Sequence, residues 1–314
     1  MTTNHHNETD HLWHPVSARY GCHLTRQQAH LWALVLDSRA IPCCIEADGE
    51  RWQLLVAENQ MESASRELQL FEKANFNWPP PPPPHRPAAG SVLSTLSVLL
   101  LLATFHNLTL MGVSVPGRGL VDLYDLGTAN AGAIKSGQWW RLITPLTLHS
   151  GIVHLLSNLT IGGTFIGLLC REMGGGLTWL LLLLSAALGN LVNAWVHPST
   201  HNSVGASTAV FAAVGILATV SMVRFRQHLP QRWFVPVAAG LALLAILGTE
   251  GKETDLGAHL FGFLAGLCFG TAAEYLIGTF GVPGRVLNRL LGTLSGMVVL
   301  VSWWYATGGT LPRP

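Results

Sequence analysis

The sequence predicts an all-α polytopic membrane protein with a small α+β soluble domain at its N-terminus. Three observations lead there. Only 11% of the 314 residues are Asp, Glu, Lys or Arg, against about 25% in an average soluble chain. Apolar residues make up 49%, and mean hydropathy is +0.36. Charge is also unevenly spread. Residues 1–90 hold 7 Lys and Arg with 10 Asp and Glu, whereas residues 91–314 hold 11 and 7. This pattern argues against a soluble enzyme, a disordered chain and a nucleic-acid binder. A net charge of +1 leaves no polycation to neutralise phosphates.

In chain order, residues 1–15 read as a polar, His-rich tail with no cleavable signal peptide. Residues 16–78 read as the soluble domain. Leu24 to Arg39 carries Leu31, Trp32, Leu34, Val35 and Leu36, which suits a helix. Asp48-Gly49 separates two short apolar runs as a hairpin would. Glu58 to Asn75 places Met61, Leu68, Phe71 and Ala74 near helical spacing. The expected unit is α-β-β-α, with no visible catalytic set, and its role is regulation or docking. The linker, residues 79–90, contains six consecutive prolines, a stiff polyproline II spacer.

A bilayer-spanning helix needs about 20 apolar residues. Seven stretches qualify as candidates: Ser91–Val113, Leu148–Leu169, Leu177–Val196, Val204–Val223, Trp233–Gly248, Gly257–Ile277 and Val286–Ala306. Met173 to Val223 is 51 residues without a charge, long enough for two spans around the turn His197 to Asn202. Residues 91–280 therefore form a six-helix core, and 281–314 an extra helix and tail. Seven arginines (86, 171, 224, 226, 232, 285, 289) fall on the N-terminal side of the membrane. Five cations (Arg118, Lys135, Arg141, Lys252, Arg313) fall opposite. The excess predicts a cytoplasmic N-terminus. The five cysteines lack disulfide, zinc or redox spacing and read as free thiols.

Polar residues inside a bilayer are functional candidates by default. Span 2 opens with His149, Ser150, His154 and Asn158; span 4 with Gly205 and Ser207; span 6 with His259. On parallel helices these groups share one depth near the outer surface. A serine becomes a nucleophile when a base accepts its proton, so Ser207 and His259 are the expected pair. His154 and Asn158 are spaced i, i+4 and project from one face, where they could hold an oxyanion. Ala258, Gly262, Gly266 and Gly270 recur every fourth residue and make a stripe for close helix approach. Asp255, four residues before His259, reads as a helix-end residue in preference to a triad acid.

At these residues the membrane part resembles the rhomboid family of intramembrane serine proteases. The matching segments are Trp140-Arg141, His154-x-x-x-Asn158, Gly205-x-Ser207, and Ala258-His259-x-x-Gly262-x-x-x-Gly266. The similarity runs from about Ser91 to Ile277, as six spans in the family's order, with one extra C-terminal helix. The resemblance implies a Ser207–His259 dyad without an acid. It implies an oxyanion hole from His154, Asn158 and the Ser207 backbone N–H. It also implies that Phe211 packs on the catalytic histidine, and that His149 is the second histidine of the span-2 motif. Two departures stand out. Thr208 follows the serine where Gly is common, and Cys170 occupies the position of a common glutamate, with Glu172 two residues later.

The expected function is cleavage of transmembrane protein substrates near the outer boundary of a bacterial inner membrane, through an acyl-enzyme. That chemistry calls for no metal, no cofactor and no nucleic acid. Membrane lipid and transmembrane substrates are the expected partners, and the oligomeric state is unknown. Two rival readings use the same residues: an inactive relative that binds membrane clients, and a transporter whose pathway they line. The presence of both Ser207 and His259 counts against the first. A single polar cluster at one end, without charge deep in the core spans, counts against the second.

Overall fold

The computed structural model describes residues 13–16, 24–48, 51–76, 93–115, 119–225, 234–247 and 254–309. The His-rich tail up to residue 12, the hairpin tip at Gly49 and the six-proline linker lie outside these residues. The chain divides into two compact units, Met1–Pro81 and Pro82–Pro314.

The first unit orders β1 (Trp13–Pro15), α1 (Arg26–Asp37), β2 (Cys43–Asp48), β3 (Arg51–Ala57) and α2 (Met61–Ala74). α1 begins where the sequence provides a capping box. Gln28 N–H donates to Thr25 Oγ1 at 3.3 Å, and Thr25 N–H donates to Gln28 Oε1 at 3.0 Å. β2 and β3 form the expected antiparallel hairpin. β1 pairs on the other edge of β3, with Trp13 opposite Ala57, giving the sheet order β1-β3-β2. This third strand falls at the end of the stretch expected as tail. Three residues ending in proline carry little strand signal, and a proline is tolerated there because the strand is an edge. The two helices cover the sheet over Leu24, Ala29, Trp32, Leu36, Leu54, Val56 and Leu68. Cys43, Cys44, Cys170 and Cys268 are free thiols.

The second unit is a helical bundle. α3 (Leu93–Met111) leads through a short hairpin, β4 (Val113–Val115) and β5 (Gly119–Val121), to α4 (Leu123–Gly127). β6 (Ala129–Asn130) and α5 (Ala131–Lys135) follow. Next comes α6 (Ile152–Ser157), which continues through a π turn at Asn158–Gly162 into α7 (Gly163–Met173). α8 (Gly175–Val196), β7 (Asn202–Ser203), α9 (Ser207–Phe225), α10 (Val235–Leu247), α11 (Leu256–Phe280) and α12 (Arg285–Ala306) complete it. Among the described residues, four continuous helices are long and apolar enough to cross a membrane: Ile152–Met173, Gly175–Val196, Leu256–Phe280 and Arg285–Ala306. Three shorter apolar helices, Thr95–Met111, Ser207–Val223 and Val235–Leu247, fall in the other candidate spans. Leu96, Leu100, Leu290, Leu294 and Leu300 are more than 45% exposed on the bundle's outside. Such a leucine surface suits lipid and not water. The chain is an integral, multi-pass helical membrane protein.

Two span boundaries differ from the sequence expectation, for local reasons. Span 2 becomes helical at Ile152 and not at Leu148, because Gly151 adopts a fully extended backbone (φ 177°, ψ 173°). Span 4 becomes helical at Ser207 and not at Val204, because Gly205 sits at φ +132°, outside any helix. Both shifts strip helix from the segments just before the polar residues.

The core helices meet on small residues. A Cβ added at Gly262 would fall on the Thr208 carbonyl oxygen, and one at Gly266 on that of Ala212. From the other side, a Cβ at Gly215 would fall on the Phe263 carbonyl. α9 and α11 therefore touch backbone to backbone. The extra helix α12 packs along α8, where Asn288 Oδ1 accepts from Leu177 N–H at 3.1 Å. At its other end Trp303 Nε1 donates to Thr147 Oγ1 at 3.0 Å.

Candidate active site

α6, α9 and α11 bring their first turns together. His259 Nε2 lies 2.7 Å from Ser207 Oγ. His259 is 5% exposed, and the Phe211 ring packs on it with centroids 4.6 Å apart. Ser207 is the first helical residue of α9, and Val210 N–H already bonds the Ala206 carbonyl at 3.0 Å. The Ser207 N–H thus lies upstream of the helical ladder, among the donors that a helix start leaves unused.

Gly205 sets the approach. Its positive φ disfavours any side chain. A Cβ there would also stand 2.6 Å from His154 Cε1 and 3.4 Å from Ser207 Oγ. Its N–H donates to the Pro145 carbonyl at 2.9 Å, fixing the turn. The closeness of His154 to the serine therefore depends on glycine at 205. His154 Nδ1 lies 3.1 Å from Ser150 Oγ. If the hydroxyl donates there, Nε2 carries the ring proton, on the side of the ring next to Gly205. Asn158 is 8% exposed, and its Nδ2 has no hydrogen-bond partner among the described residues. It stands at the start of the π turn, a distortion found frequently at functional sites.

These groups line one cavity of about 680 Å³. Its polar lining includes Ser150, His154, Asn158, Ser207 and His259, with Asp255 at its edge; its apolar lining includes Phe165, Val210, Phe211, Leu243 and Leu247. A serine, two histidines and an asparagine amide thus face one space.

The remaining predicted residues support this arrangement from behind. His149 is fully buried, and the Tyr124 hydroxyl donates to its carbonyl oxygen. Its ring meets that of His154 edge to face, with centroids 5.4 Å apart. Arg141 donates to Gln138 Oε1 at 2.6 Å and to the carbonyls of Thr128 and Asp125 at 2.7 and 2.8 Å. That fork pins the long connection between α3 and α6. Burial pulls the Arg141 guanidinium below its usual range, against the opposite pull of Asp125. Trp140 stacks on Tyr305 of α12, with centroids 6.1 Å apart and planes 10° apart.

Both departures from the family pattern have local partners. Thr208 Oγ1 points at α8 and donates to Asn190 Oδ1 at 3.2 Å. Asn190 Nδ2 in turn donates to the Leu142 carbonyl at 2.9 Å. The extra hydroxyl is bonded to α8, away from the cavity. Cys170 is fully buried and accepts from Thr95 Oγ1 of α3 at 3.4 Å.

Asp255 bonds elsewhere than His259. Oδ1 caps α11 by accepting from Ala258 N–H at 3.0 Å. Oδ2 accepts from Asn193 Nδ2 at 2.6 Å and lies 2.7 Å from His201 Nε2. Burial alone would raise its pKa, but the bonds from Ala258, His201 and Asn193 outweigh that and hold it below the usual carboxylate value. Sequence reasoning missed Tyr124, Asn190, this Asp255 network and the bond of Ser150 to His154. Each depends on a contact between segments distant along the chain, except Ser150, whose i, i+4 spacing to His154 is visible in the sequence.

Residues 136–275 match the family model for the rhomboid domain. A Bacillus subtilis protein named as a rhomboid protease, YdcA, is 34% identical over 181 residues, covering 57% of this chain and 85% of the relative. Rhomboid-like protease 3 of Toxoplasma gondii is 38% identical over 146 residues, covering 45% of this chain and 54% of the relative. Rhomboid protease GluP of Bacillus subtilis is 29% identical over 216 residues, covering 67% and 39%. Residues 136–275 contain the starts of α6, α9 and α11 at the cavity, and the 181-residue alignment takes in most of a relative named as a protease. The chain belongs to the rhomboid family.

Proposed function

We propose that this protein is an intramembrane serine endopeptidase that cleaves transmembrane protein substrates near the outer membrane boundary. The 2.7 Å contact between Ser207 Oγ and His259 Nε2 is the observation that supports it best. Ser207 attacks a peptide carbonyl while His259 takes its proton. The negative oxygen of the tetrahedral intermediate is held by the Ser207 N–H, the Asn158 amide and His154. His259 then protonates the leaving amine, and water hydrolyses the acyl-enzyme by the same steps. Phe211 holds the plane of His259. Gly262 and Gly266 hold α11 against α9, and Gly205 brings His154 to the serine. His149, Trp140 and Arg141 support the loop behind them. A helical peptide bond is shielded by its own hydrogen bonds, so the substrate must unwind locally before it fits.

A fluorophosphonate labels an activated serine. Labelling of the full-length protein in detergent is expected, and its loss in Ser207→Ala. Removing one oxyanion donor typically costs about 10² to 10³ in kcat. His154→Ala and Asn158→Ala should therefore react slowly and still fold. A wild-type rate in Asn158→Ala would make that residue structural.

The proposed organisation is modular: a polar tail at 1–15, a cytoplasmic domain at 16–78, a linker at 79–90, the six-helix core at 91–280, and the extra helix with its tail at 281–314. The membrane is the inner membrane of a bacterium. The six prolines support a stiff spacer of roughly 3 Å per residue. A chain starting near Pro87 is expected to cleave a model substrate in detergent at close to the full rate. If it folds and binds substrate without cleaving, the soluble domain shapes the site and modularity fails.

A further inference from the structure

His197, His201 and Asp255 each offer one ligand atom, and the three atoms lie within 4.8 Å of one another. His197 and His201 come from the connection between α8 and α9, and Asp255 from the residue before α11. Two imidazoles and a carboxylate are a donor set suited to a borderline divalent ion. His197 Nδ1 lies 3.0 Å from the Asn193 carbonyl, to which only an N–H can bond. That tautomer leaves its Nε2 lone pair available, and it is the outer bond that histidine ligands usually make.

The side chains around the cluster are closely packed. Asn193 is 3% exposed, and its Oδ1 accepts no hydrogen bond among the described residues. A buried amide oxygen without a partner is costly. The crowding centres on Gly257: a Cβ built there would meet Asn193 Oδ1, His197 Cε1 at 2.9 Å and Asp255 Oδ1 at 3.3 Å, while Asn193 Nδ2 is the end of the amide that faces Asp255 Oδ2 and His201 Nε2, at 2.6 and 3.4 Å. That position is one bond from the Gly257 α-carbon, so glycine there is what lets the three side chains come together.

We propose that His197, His201 and Asp255 bind a divalent transition-metal ion of the zinc class. Zinc sits about 2.0–2.2 Å from nitrogen and oxygen ligands. Tetrahedral ligands are then roughly 3.3 Å apart, so the more distant atoms draw in by up to about 1.5 Å. The ion replaces the Nε2 proton of His201, which passes to Nδ1 in a neutral ring or to solvent from an imidazolium. The two rings are now stacked, with centroids 4.1 Å apart and planes 20° apart. Aiming both nitrogens at one ion turns at least one ring out of that stack. His201 is 25% exposed at its side chain and has room to turn. Lys135 Nζ donates to the His197 carbonyl at 2.8 Å.

The site is not the dyad and carries no step of cleavage. It clamps the α8–α9 connection to the start of α11, one turn before His259. The test uses full-length protein in detergent, stripped by a chelator and titrated with Co²⁺, then challenged with Zn²⁺. The chain has 14 histidines, so the difference between variants is what counts. Wild type should bind one equivalent more than His197→Ala/His201→Gln, with visible d–d absorption that Zn²⁺ abolishes. Zn²⁺ should also raise the thermal midpoint of wild type and not of the double variant. Glutamine at 201 keeps a donor to Asp255, so the latch survives. Equal equivalents and equal spectra would overturn the proposal. Should the double variant misfold, His197→Ala alone decides, because the His197 ring hydrogen-bonds to its own helix, at the Asn193 carbonyl. Its affinity should fall at least about tenfold, and unchanged affinity would overturn the proposal. Neither readout involves cleavage, so the result is independent of the protease reading.

Discussion

Ser207→Ala and His259→Ala are each expected to abolish cleavage of a model transmembrane substrate. The reason is the geometry of one bond. His259 Nε2 and Ser207 Oγ are 2.7 Å apart, and the Phe211 ring restricts how the imidazole can turn. Without the serine there is no acyl-enzyme; without the histidine the hydroxyl keeps its proton. The two groups act as a unit, so the double variant should be no slower than either single one. Asp255 is bonded to Ala258, Asn193 and His201. Asp255→Asn should therefore leave far more activity than either dyad variant. The measurement is initial rate against a purified substrate, with thermal stability followed in parallel. More than a few per cent activity in Ser207→Ala would remove serine catalysis from consideration.

Much of this site is legible in the amino-acid sequence. Apolar run length locates the helices, because a bilayer imposes a minimum length on every crossing. The polar residues at the starts of spans 2, 4 and 6 stand out because such groups are expensive in hydrocarbon. The small-residue stripe on α11 indicates a helix that approaches its neighbour closely. What is not legible depends on tertiary contact or on backbone angles. No periodicity marks the π turn at Asn158, which changes hydrogen bonding without changing hydropathy. The extended backbone at Gly151 and the positive φ at Gly205 shorten two spans by a few residues each. Thr208 can be read from the sequence either as crowding the oxyanion region or as adding a hydroxyl to it. Its partner Asn190 is 18 residues away on another helix. The edge strand Trp13–Pro15 is too short to show alternation, and it exists only because β3 has a second edge to pair.

Gly262→Val is expected to lower cleavage by about 10²-fold or more, an effect transmitted through the packing of two helices. The α-carbon of Gly262 faces the Thr208 backbone, and any Cβ would fall on the Thr208 carbonyl oxygen and within 3.0 Å of its Cγ2. Thr208 is covalently next to the serine, and Gly262 lies one turn after His259. The only relief is for α11 to move off α9, which lengthens the Ser207–His259 contact. A displacement of about 1 Å at a reacting centre can cost 10²-fold. Overpacking also destabilises the fold, typically by about 1–3 kcal/mol, so the thermal midpoint should fall as well. Gly278 supplies the control. It lies on the same helix, and a Cβ there would meet nothing within 4 Å. Gly278→Val should keep activity and stability near wild type, which separates loss of glycine in general from loss of close approach. Gly262→Ala should fall between, since one methyl still strikes the carbonyl but with less bulk behind it. Full activity in Gly262→Val would mean that α9 and α11 do not need to touch here for the dyad to form.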